Sequence, residues 1–164
     1  MSTTDELLTN AEAYARTFTQ GDLPLPPARQ VAVLACMDAR LNVYGLLGLQ
    51  EGDAHVIRNA GGVVTADARR SLAISQRLLG TREIILIHHT GCGMLTFTDE
   101  AFAAAIEADT GQRPDWTAHA FTDVEEDVRR SIATITADPF IPHRDHVRGF
   151  VYEVETGRLR EVKP

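Results

Sequence analysis

Residues 84–87 read Ile-Ile-Leu-Ile, apolar at every position. Successive side chains of a strand point to opposite faces, so a strand this uniformly apolar needs cover on both. Sheets covered on both faces are built from parallel strands joined by crossover helices. The segment "EIILIHH" (83–89) is the third of a series that begins with "QVAVLAC" (30–36) and "AHVIRN" (54–59). Between and after these strands the pattern turns helical. Ala66–Leu79 reads as a helix, with Gly80 placed for a left-handed C-cap. A second helix runs from about Asp99 to Thr110, with Thr98 as N-cap and Gly111 beyond its end. A third begins at "TDVE", where Thr122 and Glu125 have capping-box spacing, and "DPFIP" ends it. "RGFVYEV", the turn "ETG" and "RLREV" close the chain as a strand, a turn and a short antiparallel edge. The expected fold is therefore α/β: a mainly parallel central sheet of four strands with an antiparallel edge strand, flanked by helices.

The chain of 164 residues fits one domain, 1–164, with no internal repeat. Thr4–Thr19 has helix-forming composition, and Leu7, Leu8, Ala11, Tyr14, Ala15 and Phe18 make a broad apolar face. "GDLPLPPAR" breaks any helix after it. Residues 1–22 thus read as an N-terminal helical arm, whose apolar face must lie on its own core or on a partner subunit. The net charge of −7 argues against a nucleic-acid partner. No apolar stretch is long enough to cross a membrane, and "MSTTDELLTN" lacks the pattern of a signal peptide, so a cytoplasmic location is expected. Only two cysteines occur, Cys36 and Cys92; in a reducing compartment such a pair is metal-binding, catalytic or simply buried rather than bridged.

The chemistry-bearing residues fall at strand ends. Ligands of open parallel sheets bind beyond the carboxyl ends of the strands. "ACMDAR" (35–40) lies at the end of the first strand and "HHTGCGM" (88–94) at the end of the third. If those strands are neighbours, Cys36, His89 and Cys92 converge on one point. Two thiolates and an imidazole suit zinc, and three protein ligands leave a fourth position for water, as catalytic sites do. Asp38 could orient the attacking oxygen, or swing in and close the site. Arg40, two residues on, could hold that carboxylate off the metal by a bidentate pair. Val63, Val64, Met94 and Leu95 are candidates for an apolar wall, from their places beside these motifs. His88 should point to the other face of the strand and be structural. The "HRDH" cluster, with His143 and His146, reads as a solvated loop. Asp53 and Arg58 read as ordinary polar contacts, and the paired glycines of "RNAGG" permit a close backbone approach to the pocket.

"CMDAR" together with "HTGC" resembles the Cys-x-Asp-x-Arg and His-x-x-Cys pair of the β-class carbonic anhydrases, in particular the short enzymes of mycobacteria and related actinobacteria. The resemblance extends through "EGDAHVIRNAGG", "SLAISQRLLGTREIILIHHTGCGMLTF" and "RGFVYEVETGRL", most of the chain. It implies a zinc enzyme that interconverts carbon dioxide and bicarbonate, with Cys36, His89 and Cys92 as ligands and Asp38 and Arg40 as the catalytic dyad. It also implies a homodimer, or a dimer of dimers, with the N-terminal helices packed on the opposite subunit. Two rivals stand beside that expectation. One is a carbonyl sulfide or carbon disulfide hydrolase on the same scaffold, since those substrates are also linear and need the same nucleophile. The other is a non-catalytic zinc-binding protein with a closed site.

Overall fold

The computed structural model describes residues 1–164. The elements run α1 (Thr3–Thr17), β1 (Val31–Cys36), α2 (Val43–Leu47), β2 (Ala54–Asn59), α3 (Ala66–Leu79), β3 (Glu83–His89), α4 (Asp99–Thr110), α5 (Val124–Thr136), β4 (Val147–Tyr152) and β5 (Leu159–Val162). The five strands form one sheet in the order β2-β1-β3-β4-β5. The first four are parallel, and β5 pairs antiparallel with β4. That is the expected sheet, and β1 and β3 are neighbours in it, which the site requires.

Strand alternation divides the core into two layers. Ala32, Leu34, Ile84 and Leu86 face α3 and α5, packing on Leu72, Val128, Ile132 and Ile135. Val33, Ala35 and Ile87 face the other way, onto Leu41, Val43, Met94 and Phe121. β1 and β3 are buried along nearly their whole length, as their uniform apolarity demands. α5 lies so close on β4 that a Cβ at Gly149 would overlap Val128.

The local signals at helix ends were mostly as expected. Thr65 and Thr98 cap α3 and α4, and Gly80 and Gly111 end them in left-handed conformations at φ 77° and 74°. α5 departs from the expected capping box. Its N-cap is Asp123, one residue after Thr122, and the carboxylate accepts from the amides of Glu125 and Glu126. A carboxylate facing two amides at the positive end of the helix outcompetes a hydroxyl placed one residue earlier. α1 starts earlier than its composition indicated, because Ser2 and Asp5 form a reciprocal capping box, and it ends at Thr17 rather than Thr19. The five-residue helix α2, capped by Asn42, is too short to show a helical period in sequence.

α1 and α4 bury no residue at all. Leu7, Leu8, Tyr14 and Phe18 of the arm are exposed, and the Tyr14 hydroxyl donates to Glu51 at 2.8 Å. No helix is long and apolar enough to cross a membrane.

Candidate metal centre

β1 and β3 run side by side and end together, so Cys36 and His89 leave the sheet at the same edge. Cys92 follows three residues after His89, beyond a turn in which Gly91 takes φ 61°. Their ligating atoms lie within 4.8 Å of one another, and all three residues are buried. The convergence expected from sequence is thus present in the structure.

The histidine could serve as a metal ligand. Its Nδ1 lies 2.8 Å from the Thr90 carbonyl, to which it donates. That fixes the proton on Nδ1 and leaves the Nε2 lone pair free. Nε2 is buried without any hydrogen-bond partner. A buried polar atom with no partner is costly, and a metal ion held by this residue and the two cysteines would satisfy it. The thiols act as one titrating unit. Contact with Cys92 brings the Cys36 thiol down to about 4 against the effect of burial, and the same contact, together with burial, pushes Cys92 up. Burial works to lower the His89 imidazole, but the nearby Cys36 and the Thr90 carbonyl outweigh it and raise it. A divalent ion held by the two sulfurs would let both carry charge. The donor set of two sulfurs and one imidazole fits zinc.

Asp38 and Arg40 form the bidentate pair that the spacing indicated. Arg40 Nε donates to Oδ1 at 2.9 Å and Nη2 to Oδ2 at 2.8 Å, and the Arg40 amide adds a bond to Oδ1 at 2.8 Å. These bonds hold the Asp38 carboxyl far below the usual carboxylate range. Arg40 Nη2 also donates to the Gly91 carbonyl at 3.0 Å, which ties the dyad to the loop between His89 and Cys92. Asp38 Oδ2 lies 3.6 Å from His89 Nε2, beside the place a metal would take.

Arg58 does more than an ordinary surface contact. Its Nε donates to the Cys36 carbonyl at 2.9 Å and its Nη2 to the Asp38 carbonyl at 2.8 Å. It therefore pins the backbone on both sides of Met37 from the neighbouring strand. Only the strand order brings it there, so no local pattern marked it. Gly62, at φ 66°, lies against the same segment, and a Cβ there would sit 2.9 Å from the Cys36 amide nitrogen. The close approach allowed by the paired glycines is realised. His88 points away from this cluster, and its Nε2 meets Asp127 at 2.8 Å in the core. Asp53 pairs with Arg29 and accepts from the Gln50 amide, away from the cluster. His146 is exposed, while the His143 amide donates to Gln76.

A cavity of about 700 Å³ opens onto Cys36, Asp38 and Cys92. Its wall is mainly apolar. Val63 and Met94 line it as expected, but Val64 and Leu95 do not. Val64 packs instead against the opposite core layer and Leu95 is exposed, because one residue along an extended segment or a tight turn reverses the direction of the side chain. Phe97, Phe102 and Trp116 complete the wall from a part of the chain where sequence reasoning named no site residue.

The family model described as carbonic anhydrase matches residues 31–159. The β-carbonic anhydrase 1 of Mycobacterium tuberculosis is 58% identical over 164 residues, covering all of both chains. A carbon disulfide hydrolase of Acidithiobacillus thiooxidans is 36% identical over 180 residues, covering 98% of this chain and 90% of its own. Among solved structures, a carbonic anhydrase from Streptococcus mutans superposes with a TM-score of 0.93 at 45% identity, covering 99% of each chain. A carbonic anhydrase from Glaciozyma antarctica gives 0.90 at 42%, covering 99% of this chain and all of its own. In sequence along its whole length and in fold, the chain belongs to the β-carbonic anhydrase family.

Proposed function

We propose that this enzyme is a zinc-dependent carbonic anhydrase that hydrates carbon dioxide reversibly to bicarbonate and a proton. The observation that carries the reading is the buried Cys36–His89–Cys92 cluster with the Asp38–Arg40 pair locked beside it. Cys36, His89 and Cys92 would hold the zinc. Bound there, the ion would supply a hydroxide nucleophile near neutral pH and polarise the substrate. Asp38, kept ionised by Arg40, accepts a hydrogen bond at Oδ2 from the attacking oxygen and so aims its lone pair at the substrate carbon. Arg40 keeps that carboxylate in place and prevents it from turning toward the cluster. Val63 and Met94 give a small linear apolar substrate a dry wall to lie against.

The chain is read as a single domain, 1–164, acting on a small molecule in the cytoplasm, without nucleic-acid or membrane partners. Its arm, residues 1–22, is assigned to the surface of a second copy in a homodimer, which can pair again into a dimer of dimers. The exposed apolar residues of α1 support that assignment, since a helix with such a face is stable only when it is covered.

A second reading, carbon disulfide hydrolysis, is supported by the 36% identical relative named above. The 58% identity to a β-carbonic anhydrase favours carbon dioxide. Turnover of carbon dioxide, carbonyl sulfide and carbon disulfide by the same zinc-loaded preparation tests the choice. Carbon dioxide should be turned over fastest. Faster turnover of either sulfur compound would replace this reading with the hydrolase, and no turnover of any of them would favour a zinc-binding protein without catalysis.

A further inference from the structure

We propose that His119 carries the reaction's proton from the metal cavity to bulk solution; this rests on the carbon dioxide reading above. Each hydration releases one proton, which must leave a cavity whose wall is mostly apolar. Few side chains on that wall can take up and release a proton near neutrality. Cys36 and Cys92 belong to the cluster, and both carboxylate oxygens of Asp38 are taken up by Arg40 at 2.9 and 2.8 Å. Arg58 is engaged with two carbonyls. Asp67 pairs with Arg70 at 3.0 Å. His119 is the one histidine among the residues that line the cavity, and imidazole is the side chain suited to shuttling protons at physiological pH.

The placement of His119 is unusual for its type. It takes φ 63°, in the left-handed region that favours glycine. The residues after it are pinned in both directions: the Ala120 amide donates to Asp99 at 2.7 Å, and the Phe121 amide donates to the Met94 carbonyl at 3.2 Å. Met94 lies two residues from Cys92, so the loop bearing His119 is tied directly to the metal loop. The residue is exposed, so it meets solvent as well as the cavity. On its other side it lines a second cavity of about 160 Å³. Charged groups lining the two cavities with it are Asp99 of α4, Asp127 and Arg130 of α5, and Asp38, Arg58 and Asp67 across the metal cavity. At ~30 Å³ per water, a cavity of about 700 Å³ has room for a hydrogen-bonded chain of water between the cluster and the ring.

The step is a proton transfer in two parts. The proton lost by the attacking water crosses that chain and bonds to the unprotonated ring nitrogen of His119. The imidazolium then gives the proton to a buffer base in bulk solution, which restores the neutral ring.

The test uses zinc-loaded full-length protein with His119→Asn and His119→Gly, both of which accept a left-handed backbone. Zinc content and melting temperature should match the wild type. In dilute buffer kcat for carbon dioxide hydration should fall on the order of tenfold, less than the 10²–10⁴-fold of direct general acid–base catalysis because buffer substitutes in part. kcat/KM should change by less than about twofold, since a proton transfer that follows the chemical step leaves it untouched. Added imidazole should restore kcat. Independently of turnover, carbethoxylation followed by peptide mass spectrometry should modify His119 and spare the buried His88. Unchanged kcat in dilute buffer, a loss that imidazole does not restore, or a His119 as protected as His88 would each overturn the proposal while leaving the hydration reading intact. A zinc-loaded wild type that hydrates no carbon dioxide would overturn both.

Discussion

Arg40 is half exposed, with 54% of its side chain open to solvent, yet it makes two bonds to Asp38 and a third to the Gly91 carbonyl. A surface ion pair of this exposure adds little to stability, so its value lies in where it holds the carboxylate. Arg40→Ala should keep its zinc and lose activity by about 10–100-fold, as changes beside a metal's direct ligands commonly do. Cys36→Ser, His89→Ala and Cys92→Ser should instead lose the zinc, as elemental analysis would read. Full zinc in one of those three would remove that residue from the ligand set. Near-full activity of Arg40→Ala at every pH would reduce Arg40 to a structural ion pair. That these five residues meet in space was legible in sequence, because each falls within a few positions of a strand end, where direction is fixed by the strand. Arg58 was not, because its role depends on a side chain reaching from β2 to the carbonyls of the segment leaving β1.

At the scale of elements, α3 and α5 are joined by a pair that links sheet packing to pH. Asp138 lies two residues beyond the end of α5, and its side chain is 2% exposed. It accepts from Arg69 of α3 at 2.6 Å and from the Phe140 amide at 2.9 Å. The Arg69 guanidinium holds its carboxyl below the ordinary value of 3.8. A carboxylate lowered in the folded state stabilises the fold above its unfolded value and loses that contribution as pH falls through the lowered one. Asp138→Asn should therefore cost about 2 kcal/mol at pH 7, in the range of hydrogen bonds to charged groups. In urea unfolding the gap to wild type should narrow as pH drops below 3.8. A gap that stays constant from pH 7 down to the acid limit of folding would place the effect in packing rather than charge. Elements of this size were readable from periodicity and caps: α3, α4 and the buried strands stood out in the sequence. The N-caps of α1 and α5 did not, since Ser2 and Asp123 compete with neighbours of similar capping chemistry and only the local backbone decides. The Phe102–Trp116 wall escaped for a different reason, because it is formed by loop and helix residues that come together only in space.

At the scale of the whole molecule, the arm leaves its apolar residues without cover within one chain, while the sheet carries the cluster at its carboxyl edge. Removal of residues 1–22 should weaken the proposed dimer and lower its melting temperature, because the apolar face of α1 is assigned to the partner. A truncated protein that sediments as the same dimer and melts at the same temperature would place the interface elsewhere. The proposed hydration needs zinc at the meeting point of β1 and β3. The most direct measurement is the initial rate of carbon dioxide hydration by one preparation as purified, after chelator has stripped its metal, and after reloading with one equivalent of zinc per chain. Catalysis above the buffer rate should vanish on stripping and return on reloading; a zinc-replete protein that hydrates carbon dioxide no faster than buffer alone would contradict the proposed function.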